Sequence, residues 1–373
     1  MASQVSNIVD HIRAAGPASA VMDSSVYERI MRAANFDEPD RVPIWDFIDS
    51  WPIYQHFAPG ETDAVVATAK VFNGLGIDLC RSVYMPLPDG APAHNEHFVS
   101  SGLTRWYVNK PIRSLDDLRQ FEVPEISDEQ AAQWVLDYVK ARDVFAPQTL
   151  LVPCDGVGFH AAYGTMGLEL FSYAIYDAPE HVERLIAGYN DQAAKRAEVF
   201  ASIDPPPCPL FIYGDDIAFK GRAMFSPDIM HRLFYPRLER LCGILSAAGV
   251  KVIFHTDGHI MDIVDDLLAC GIAGINPIEP LAGNDIGELK RRYGEGLILV
   301  GNVDCSQLLP LGTPAQIREG VRQTLIAAGR GGGLFIGSSS EIVPTTPVEN
   351  IFAFYQACHE LGRYPLGGRG STL

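Results

Sequence analysis

Several side chains that can bind a metal ion or transfer a proton stand directly after short apolar runs of the sequence. His255 ends one such run and Asp257 follows two residues later, while Asp216 and Glu279 follow two other runs. Imidazole and carboxylate groups serve both as metal ligands and as general acids or bases. We predict catalytic roles for His255, Asp216 and Asp257. The same residues and Glu279 are the candidate cation ligands, and the alternative for each is a role as a turn or cap residue.

Asp216 has an acidic neighbour, Asp215, and the two carboxylates point in opposite directions if the strand continues through them. We therefore expect only one of the pair to face the site, and we favour Asp216. Glu279 lies between Pro277 and Pro280, which stiffen its turn. A functional and a structural role for Glu279 both remain open.

Aromatic and polar side chains near other run ends form a second candidate group. The aromatic ones would wall a pocket for a flat, apolar small molecule, and the alternative for each is packing in the core. The polar ones end apolar runs in the same way as His255. These candidate substrate-binding residues are Trp45, Asp46, Phe47, Arg81, Asp155, Phe159 and Tyr163.

The elements that would position these residues are eight short apolar runs separated by amphipathic stretches. Each run is bounded by Gly, Pro or Asp, as is typical of parallel strands buried on both faces. Alternation of such strands with helices predicts βαβ units, and eight strands favour a closed (β/α)8 barrel of the TIM type, with a doubly wound open sheet as the alternative. The runs are Val42–Phe47, Ile77–Val83, Leu150–Pro153, Leu210–Tyr213, Val250–Phe254, Gly274–Ile278, Leu297–Val300 and Leu334–Ile336.

Two segments fall outside this alternation. Residues 1–35 have apolar side chains at helical spacing and predict an N-terminal helical extension. Residues 98–112 contain Ser100-Ser101-Gly102 between alternating residues and predict a β-hairpin inserted between the second and third barrel strands. The sequence has no convincing linker, so we predict one domain over residues 1–373.

Composition excludes several classes of function. The 373 residues carry 29 basic and 46 acidic side chains, a formal charge of −17, which argues against binding to nucleic acid. No apolar run reaches the ~18 residues that span a bilayer, and the N-terminal residues do not have the pattern of a signal peptide. The seven cysteines form no Cys-x-x-Cys pair. We expect a cytoplasmic protein without a membrane partner, and the sequence leaves a homodimer open.

An ordered set of motifs over residues 25–365 resembles the uroporphyrinogen decarboxylase superfamily. This resemblance implies a (β/α)8 barrel and one of two activities: cofactor-free porphyrinogen decarboxylation, or transfer of a methyl group to or from a corrinoid protein or a thiol. It also places Tyr213 among the candidate substrate-binding residues. The motifs are Glu38-Pro39-Asp40-Arg41-Val42-Pro43, Tyr213-Gly214-Asp215-Asp216, Phe225-Ser226-Pro227, Phe254-His255-Thr256-Asp257-Gly258, Gly301-Asn302-Val303-Asp304 and Pro347-Val348-Glu349-Asn350.

The decarboxylase branch fits this sequence poorly. Its members carry a Met-Arg-Gln-Ala-Gly-Arg stretch whose arginines hold the substrate propionates, and residues 45–50 here are acidic and aromatic instead. Arg81 stands where those decarboxylases have the Asp that holds the pyrrole nitrogens. A cation at that position cannot stabilise a protonated pyrrole.

The methyltransferase branch fits better, with a changed set of metal ligands. Thiol-activating members bind zinc through His-x-Cys and a later Cys; here His255 matches the His, Asp257 replaces the first Cys, and Ser338–Ser340 occupy the region of the second. The resemblance therefore implies zinc with nitrogen and oxygen ligands, which suits activation of an ether oxygen. It implies a demethylase of the O-demethylase type that moves a methyl group from a small methylated substrate, such as a methoxylated aromatic, to a corrinoid (cobalamin) on a partner protein. Decarboxylation is the alternative.

Overall fold

Short parallel strands alternate with helices along most of the chain. The protein is described by a computed structural model covering residues 2–86, 93–94, 98–101 and 104–366. Each predicted apolar run contains at least part of a strand. The strands are β1 (Trp45–Asp46), β2 (Leu79–Cys80), β3 (Ala93–His94), β4 (Phe98–Ser101), β5 (Thr104–Tyr107), β6 (Leu150–Leu151), β7 (Cys154–Asp155), β8 (Leu210–Gly214), β9 (Ala218–Phe219), β10 (Arg222–Ala223), β11 (Lys251–His255), β12 (Gly274–Asn276), β13 (Ile298–Val303) and β14 (Leu334–Ser338).

The parallel strands form a closed ring, which confirms the predicted TIM-type barrel. One set pairs in the order β1-β2-β6 and the other in the order β14-β13-β12-β11-β8-β7. The last strand meets the first through a parallel bridge between Ile44 and Ile336, where the Ile336 N–H donates to the Pro43 carbonyl at 2.9 Å. Parallel strands joined by helices in this way place all their carboxyl ends, and the loops that follow them, at one mouth.

The third barrel strand is divided into the two short pieces β6 and β7. The Val152 N–H donates to Cys80 O at 2.7 Å on one side of the ring, and the Ile212 N–H donates to Pro153 O at 2.8 Å on the other. Pro153 has no N–H to give to a neighbouring strand, which explains an interruption at this position. The predicted run Leu150–Pro153 therefore covers only the first piece, and β7 follows it.

Helices cover the ring, and their ends follow ordinary capping chemistry. Ser127 with Gln130 and Thr313 with Gln316 form capping boxes at two helix starts. The helices are α1 (Ala2–Ala15), α2 (Ala18–Val21), α3 (Ser24–Ala34), α4 (Trp51–Phe57), α5 (Ala64–Leu75), α6 (Leu115–Gln120), α7 (Asp128–Phe145), α8 (Phe159–Met166), α9 (Leu168–Asp177), α10 (Pro179–Ala201), α11 (Pro227–Leu233), α12 (Tyr235–Ser246), α13 (Val264–Ala269), α14 (Ile286–Tyr293), α15 (Leu308–Leu311), α16 (Pro314–Ala328) and α17 (Val348–Leu361), with short 3₁₀ turns at Pro280–Ala282 and Gly294–Gly296.

The N-terminal extension is helical, as predicted, and α3 is tied to the barrel by a buried carboxylate. Asp78, just before β2, accepts hydrogen bonds from Arg29 of α3 at 2.7 Å and from both terminal nitrogens of Arg41 at 2.6 and 2.9 Å. Its Oδ2 also accepts from the Ile44 N–H at 2.7 Å. Arg29 in turn makes two 2.7 Å bonds to Asp40. This group of contacts lies at the amino end of the barrel, opposite the mouth, and beside the seam between the first and last strands.

The predicted hairpin is present as the antiparallel pair β4 and β5, and it ends at Tyr107 instead of residue 112. The short β3 pairs with β4 and extends it to three strands. Residues 102–103 of the predicted hairpin lie outside the described residues, as do 1, 87–92, 95–97 and 367–373 of the predicted domain. Within the described ranges, no helix is both long and apolar enough to cross a membrane.

Candidate active site

The mouth of the barrel brings together the three predicted catalytic residues. His255 is the last residue of β11, Asp257 follows it, and Asp216 lies two residues beyond β8, the neighbour of β11. One ligand atom from each side chain lies within 4.8 Å of the other two. The His255 side chain is 15% exposed, whereas those of Asp216 and Asp257 are 37% and 45% exposed. The carboxylates are therefore open to small molecules while the imidazole lies deeper.

His255 is held between an amide and a guanidinium. Its Nδ1 lies 2.6 Å from Asn276 Oδ1, and Arg81 Nη1 lies 2.6 Å from Nδ1 and 3.1 Å from Nε2. Nδ1 thus faces an acceptor, the Asn276 oxygen, and a donor, the Arg81 guanidinium, so these contacts are compatible with either tautomer of the neutral ring. Burial, followed by the charge of Arg81, lowers the pKa of His255 to about 3. The imidazole is thus neutral at physiological pH, as a metal ligand or a proton acceptor must be.

The two carboxylates are fixed by the loops that carry them. Asp216 Oδ1 accepts from the Asp257 N–H at 3.2 Å, so each loop orders the other. Asp257 Oδ1 lies 3.2 Å from the Ser340 hydroxyl and 3.9 Å from His255 Nε2. Burial raises the pKa of Asp257, while the charge of Arg81 opposes this effect. One imidazole nitrogen and two carboxylates make a donor set that suits zinc or another divalent cation.

Glu279 lies beside this group but outside the 4.8 Å cluster formed by the described residues. Its Oε1 accepts from the Gly258 N–H at 2.7 Å. Burial and the nearby Asp257 raise the pKa of Glu279. Glu279 therefore holds the loop that carries Asp257, and its role as a direct ligand stays a prediction.

Gly258 is required by the close packing of that loop. Its φ is +95°, and a Cβ at this position would come within 2.6 Å of the backbone of Ala218. Only glycine adopts such a backbone without strain, and only glycine leaves room for the adjoining β9 segment. The position of Asp257 thus depends on the absence of a side chain at the next residue.

The carboxylates of Asp215 and Asp216 point in different directions, as the sequence predicts, and that of Asp215 is turned away from the mouth. Asp215 is buried and accepts from the N–H groups of Val157, Phe159 and His160 at 3.2, 2.7 and 3.1 Å. These donors belong to the start of α8, so Asp215 ties that helix to the end of β8. Burial raises the pKa of Asp215 to about 7 despite these hydrogen bonds.

An aromatic surface lies on the side of the mouth next to Asp216. The rings of His160 and Tyr163 stack with centroids 4.7 Å apart, and His160 Nδ1 lies 3.6 Å from Asp216 Oδ2. The Tyr163 hydroxyl donates to the Asp216 carbonyl at 3.0 Å. Beside His255, Arg81 packs over the ring of Phe47 with 5.0 Å between Cζ and the ring centroid. Tyr163 and Arg81 therefore lie around the predicted site, and their contacts with a substrate stay predictions. Phe47 is buried next to Arg81, with 4% of its surface exposed.

Three other predicted substrate-binding residues are placed in the interior, which corrects their expected position. Trp45 packs edge-to-face on Phe335, and Phe159 packs among several phenylalanines, where both are buried. The Asp46 carboxylate is buried and accepts from Ser338 and Tyr355 at 2.6 and 3.0 Å. Burial raises the pKa of Asp46 to about 6. These side chains lack exposed surface for a ligand because they fill the space inside and around the ring.

Asp155 and Tyr213 face the outer helices instead of the mouth, a second correction. Asp155 makes a two-bond ion pair with Arg196 of α10, at 2.6 and 2.9 Å. Tyr213 is fully buried with its ring 4.9 Å from that of Phe211. Successive residues of a strand alternate between its faces, so a polar residue at a strand end has an even chance of pointing outward.

The structure also places at the mouth residues for which the sequence predicts no role. Asn276 ends β12 and orients His255. Glu341 and Asp49 add two further carboxyl groups: burial raises the pKa of Glu341, and burial with the charge of Glu341 raises that of Asp49 to about 6. Cys154 is the exposed thiol among the seven free cysteines.

Comparisons with known proteins agree with this architecture. Residues 102–361 match the family model described as uroporphyrinogen decarboxylase. A uroporphyrinogen decarboxylase of Coxiella burnetii is 36% identical over 367 residues, covering 88% of this chain and 94% of that protein. One from Alkalilimnicola ehrlichii is 25% identical over 266 residues, covering 67% and 68%.

Among solved structures, a methyltransferase from Methanosarcina mazei has a similar fold, with a TM-score of 0.67 and 18% identity, covering 90% of this chain and 98% of that one. At this level of identity the match supports the barrel and not a shared activity. The family match and the curated relatives together span nearly the whole described barrel. The chain belongs to the uroporphyrinogen decarboxylase family.

Proposed function

We propose that the protein is a methyltransferase that moves a methyl group from a small methoxylated aromatic compound to a corrinoid carried by a partner protein. The observation that carries this proposal is the group formed by Asp216, His255 and Asp257 at the barrel mouth. A neutral imidazole and two carboxylates suit a cation that activates a leaving oxygen. The methyltransferase with the same fold supports the proposal by analogy.

The chemistry requires an electrophilic methyl group and a stabilised leaving group. The C–O bond breaks heterolytically, the methyl carbon bonds to the acceptor nucleophile, and the aryl oxygen keeps the electron pair. A zinc ion bound by His255, Asp216 and Asp257 would supply Lewis-acid stabilisation of that oxygen. The chain's own contribution is to hold these donors in place through Asn276 and Ser340, at 2.6 and 3.2 Å.

The aromatic side of the mouth suits a flat substrate. The stacked rings of His160 and Tyr163 are next to Asp216, and the Tyr163 hydroxyl is occupied by the Asp216 carbonyl. A substrate ring lying against this pair would bring an ether oxygen toward the carboxylate side of the mouth. The described part of the mouth places this aromatic surface beside a dense group of acids.

Decarboxylation of a porphyrinogen is a second candidate, because the curated relatives carry that name. A polycarboxylate substrate needs several cations around it. Among the described residues, the fixed cations whose charge acts on the acids of the mouth are Arg81 and Lys220. The surrounding carboxylates oppose binding of such a substrate, which favours the methyltransferase.

The test is methyl transfer by the full chain, with reduced cobalamin as the acceptor. Methoxybenzoates, methoxyphenols and methylated amines are supplied singly, and loss of the cob(I)alamin absorbance is followed. We expect turnover with a methoxylated aromatic, its loss in His255→Ala, and its retention in Glu319→Gln, a surface variant on α16. Comparison of the two variants distinguishes a loss of activity caused by damage to the site from one caused by a general loss of folded protein.

Uroporphyrinogen is tested in parallel, with carbon dioxide release as the readout. Turnover of uroporphyrinogen without any methyl transfer would replace the proposal by the second candidate. Full methyl-transfer activity of His255→Ala would show that the site formed by His255 and a bound metal takes no part in the reaction.

A further inference from the structure

Arg81 occupies the position next to His255 where a metal ion would bind. It follows β2, while His255 ends β11, and the two meet across the mouth of the barrel. Arg81 Nη1 lies 2.6 and 3.1 Å from the two ring nitrogens of His255. Whichever nitrogen carries the lone pair, the guanidinium is within hydrogen-bond distance of it. A lone pair that accepts an Arg N–H is not available to a metal.

The same guanidinium also neutralises the carboxylates of this site. Its charge acts on Asp257, a candidate cation ligand, and on Glu341, a further carboxyl group of the mouth. A divalent ion placed between His255 and Asp257 would lie within a few ångströms of a fixed positive charge, and like charges repel strongly at that distance in a partly buried cavity.

We infer that Arg81 and a divalent cation compete for His255, so that the guanidinium acts as the built-in cation of the site whenever no metal is bound. This inference rests on the metal site of the proposed function, but it concerns metal affinity and not methyl transfer. Metal binding displaces Arg81 from the imidazole. Removing the positive charge of Arg81 should therefore tighten metal binding, although most changes around a metal site weaken it.

The test measures the affinity of the full chain for zinc by competition with a chromogenic chelator. Cobalt(II) serves as a second probe, because its visible absorption reports the ligands around it. Arg81→Gln should bind zinc about tenfold more tightly or better than wild type, from removal of one nearby charge and one competing donor. Arg81→Met removes the charge but keeps a long unbranched side chain next to Phe47. It should show the same gain, and it replaces Arg81→Gln if that variant is unstable.

Two controls assign the gain to this contact. Lys220→Gln removes a positive charge that also acts on the mouth, without touching His255, and should change zinc affinity by about twofold or less. His255→Ala in the Arg81→Gln background should abolish the gain and alter the cobalt(II) spectrum. Circular dichroism confirms that each variant is folded.

Several results would overturn the inference. They are unchanged or weaker zinc binding in both Arg81 variants, an equal gain in Lys220→Gln, a gain that survives loss of His255, and absence of binding in every variant. Each is independent of catalysis. Methyl transfer without the affinity gain would refute the inference alone, and the gain without methyl transfer by any variant would refute the proposed function alone.

Discussion

The buried carboxylate of Asp78 gives the sharpest prediction about stability. Its side chain is 2% exposed and each of its oxygens accepts two hydrogen bonds, from Arg29, Arg41 and the Ile44 N–H. In Asp78→Asn, one of these oxygens becomes an NH₂ group that faces donors. Two donors, at least one of them a guanidinium N–H, then lose their acceptor, and the negative charge between two cations disappears.

The magnitude follows from what each arginine keeps. Arg29 retains its two bonds to Asp40. Arg41 donates to both oxygens of Asp78, so it retains one bond to the oxygen that remains, together with a 3.2 Å bond to the Val42 carbonyl. Removing one partner of a buried ion pair costs about 3–5 kcal/mol, and the compensation of Arg29 by Asp40 favours the lower end of this range. We therefore expect Asp78→Asn to lower the free energy of unfolding by about 3 kcal/mol.

Urea unfolding followed by circular dichroism measures this change. Glu319→Gln, which breaks an exposed pair with Arg322 on α16, is the control and should leave the unfolding midpoint unchanged. A double-mutant cycle of Asp78→Asn with Arg41→Gln should give a coupling energy of about 2 kcal/mol. A loss of less than about 1 kcal/mol in Asp78→Asn, or no coupling with Arg41, would refute the reasoning.

Three further predictions concern the mouth and the barrel interior. Gly258→Ala should weaken zinc binding at least about tenfold, measured by chelator competition, because its Cβ would collide with Ala218 and displace Asp257. Asp215→Asn should lower the free energy of unfolding by about 1–3 kcal/mol in urea, because an amide NH₂ would face N–H donors at the start of α8. The raised pKa of Asp46, about 6 against 3.8 in the unfolded chain, means that the folded state binds the proton more tightly, so its contribution to stability falls as pH rises from about 4 to 6. Urea titrations across this range should show a decrease of roughly 2–3 kcal/mol from this group, which Asp46→Asn should remove.

The strands and the closed barrel could be predicted because their signals are local. Apolar runs bounded by Gly, Pro and Asp mark the buried strands wherever they occur, and the eight runs all contain observed strand. The ends of the strands were predicted less well: the third strand resumes after Pro153 at Cys154 and Asp155, and β8, β11, β13 and β14 also continue beyond their runs. Polar residues are unusual in a buried strand, so a prediction based on apolar runs ends the strand before them.

The candidate site was predictable only in part, because its contacts join distant parts of the chain. His255 and Asp257 share one motif, but Arg81 meets His255 across 174 positions. Nothing local distinguishes the inward-facing Asp216 from Asp155, which also ends a strand run and turns to Arg196. Asp155 faces outward because α10 provides Arg196 as its ion-pair partner. The sequence of the strand alone does not contain this information.

The motif Glu38–Pro43 shows how a recognised sequence pattern can have a structural meaning unrelated to the active site. Within it, Asp40 pairs with Arg29 and Arg41 pairs with Asp78, at the end of the barrel opposite the mouth. The Pro43 carbonyl accepts the hydrogen bond from Ile336 that joins the last strand to the first. The motif is therefore explained by closure of the barrel.

The carboxylates around the mouth also set how fast charged molecules reach it. Among the described residues, Asp49, Asp216, Asp257 and Glu341 lie at the mouth together with the guanidinium of Arg81, on a chain whose formal charge is −17. An anion diffusing toward this cavity meets a repulsive field, and dissolved salt screens that field over about 8 Å at 0.15 M ionic strength. Association of an anionic ligand should accordingly accelerate as salt is added, while an uncharged ligand of the same shape should arrive at a constant rate.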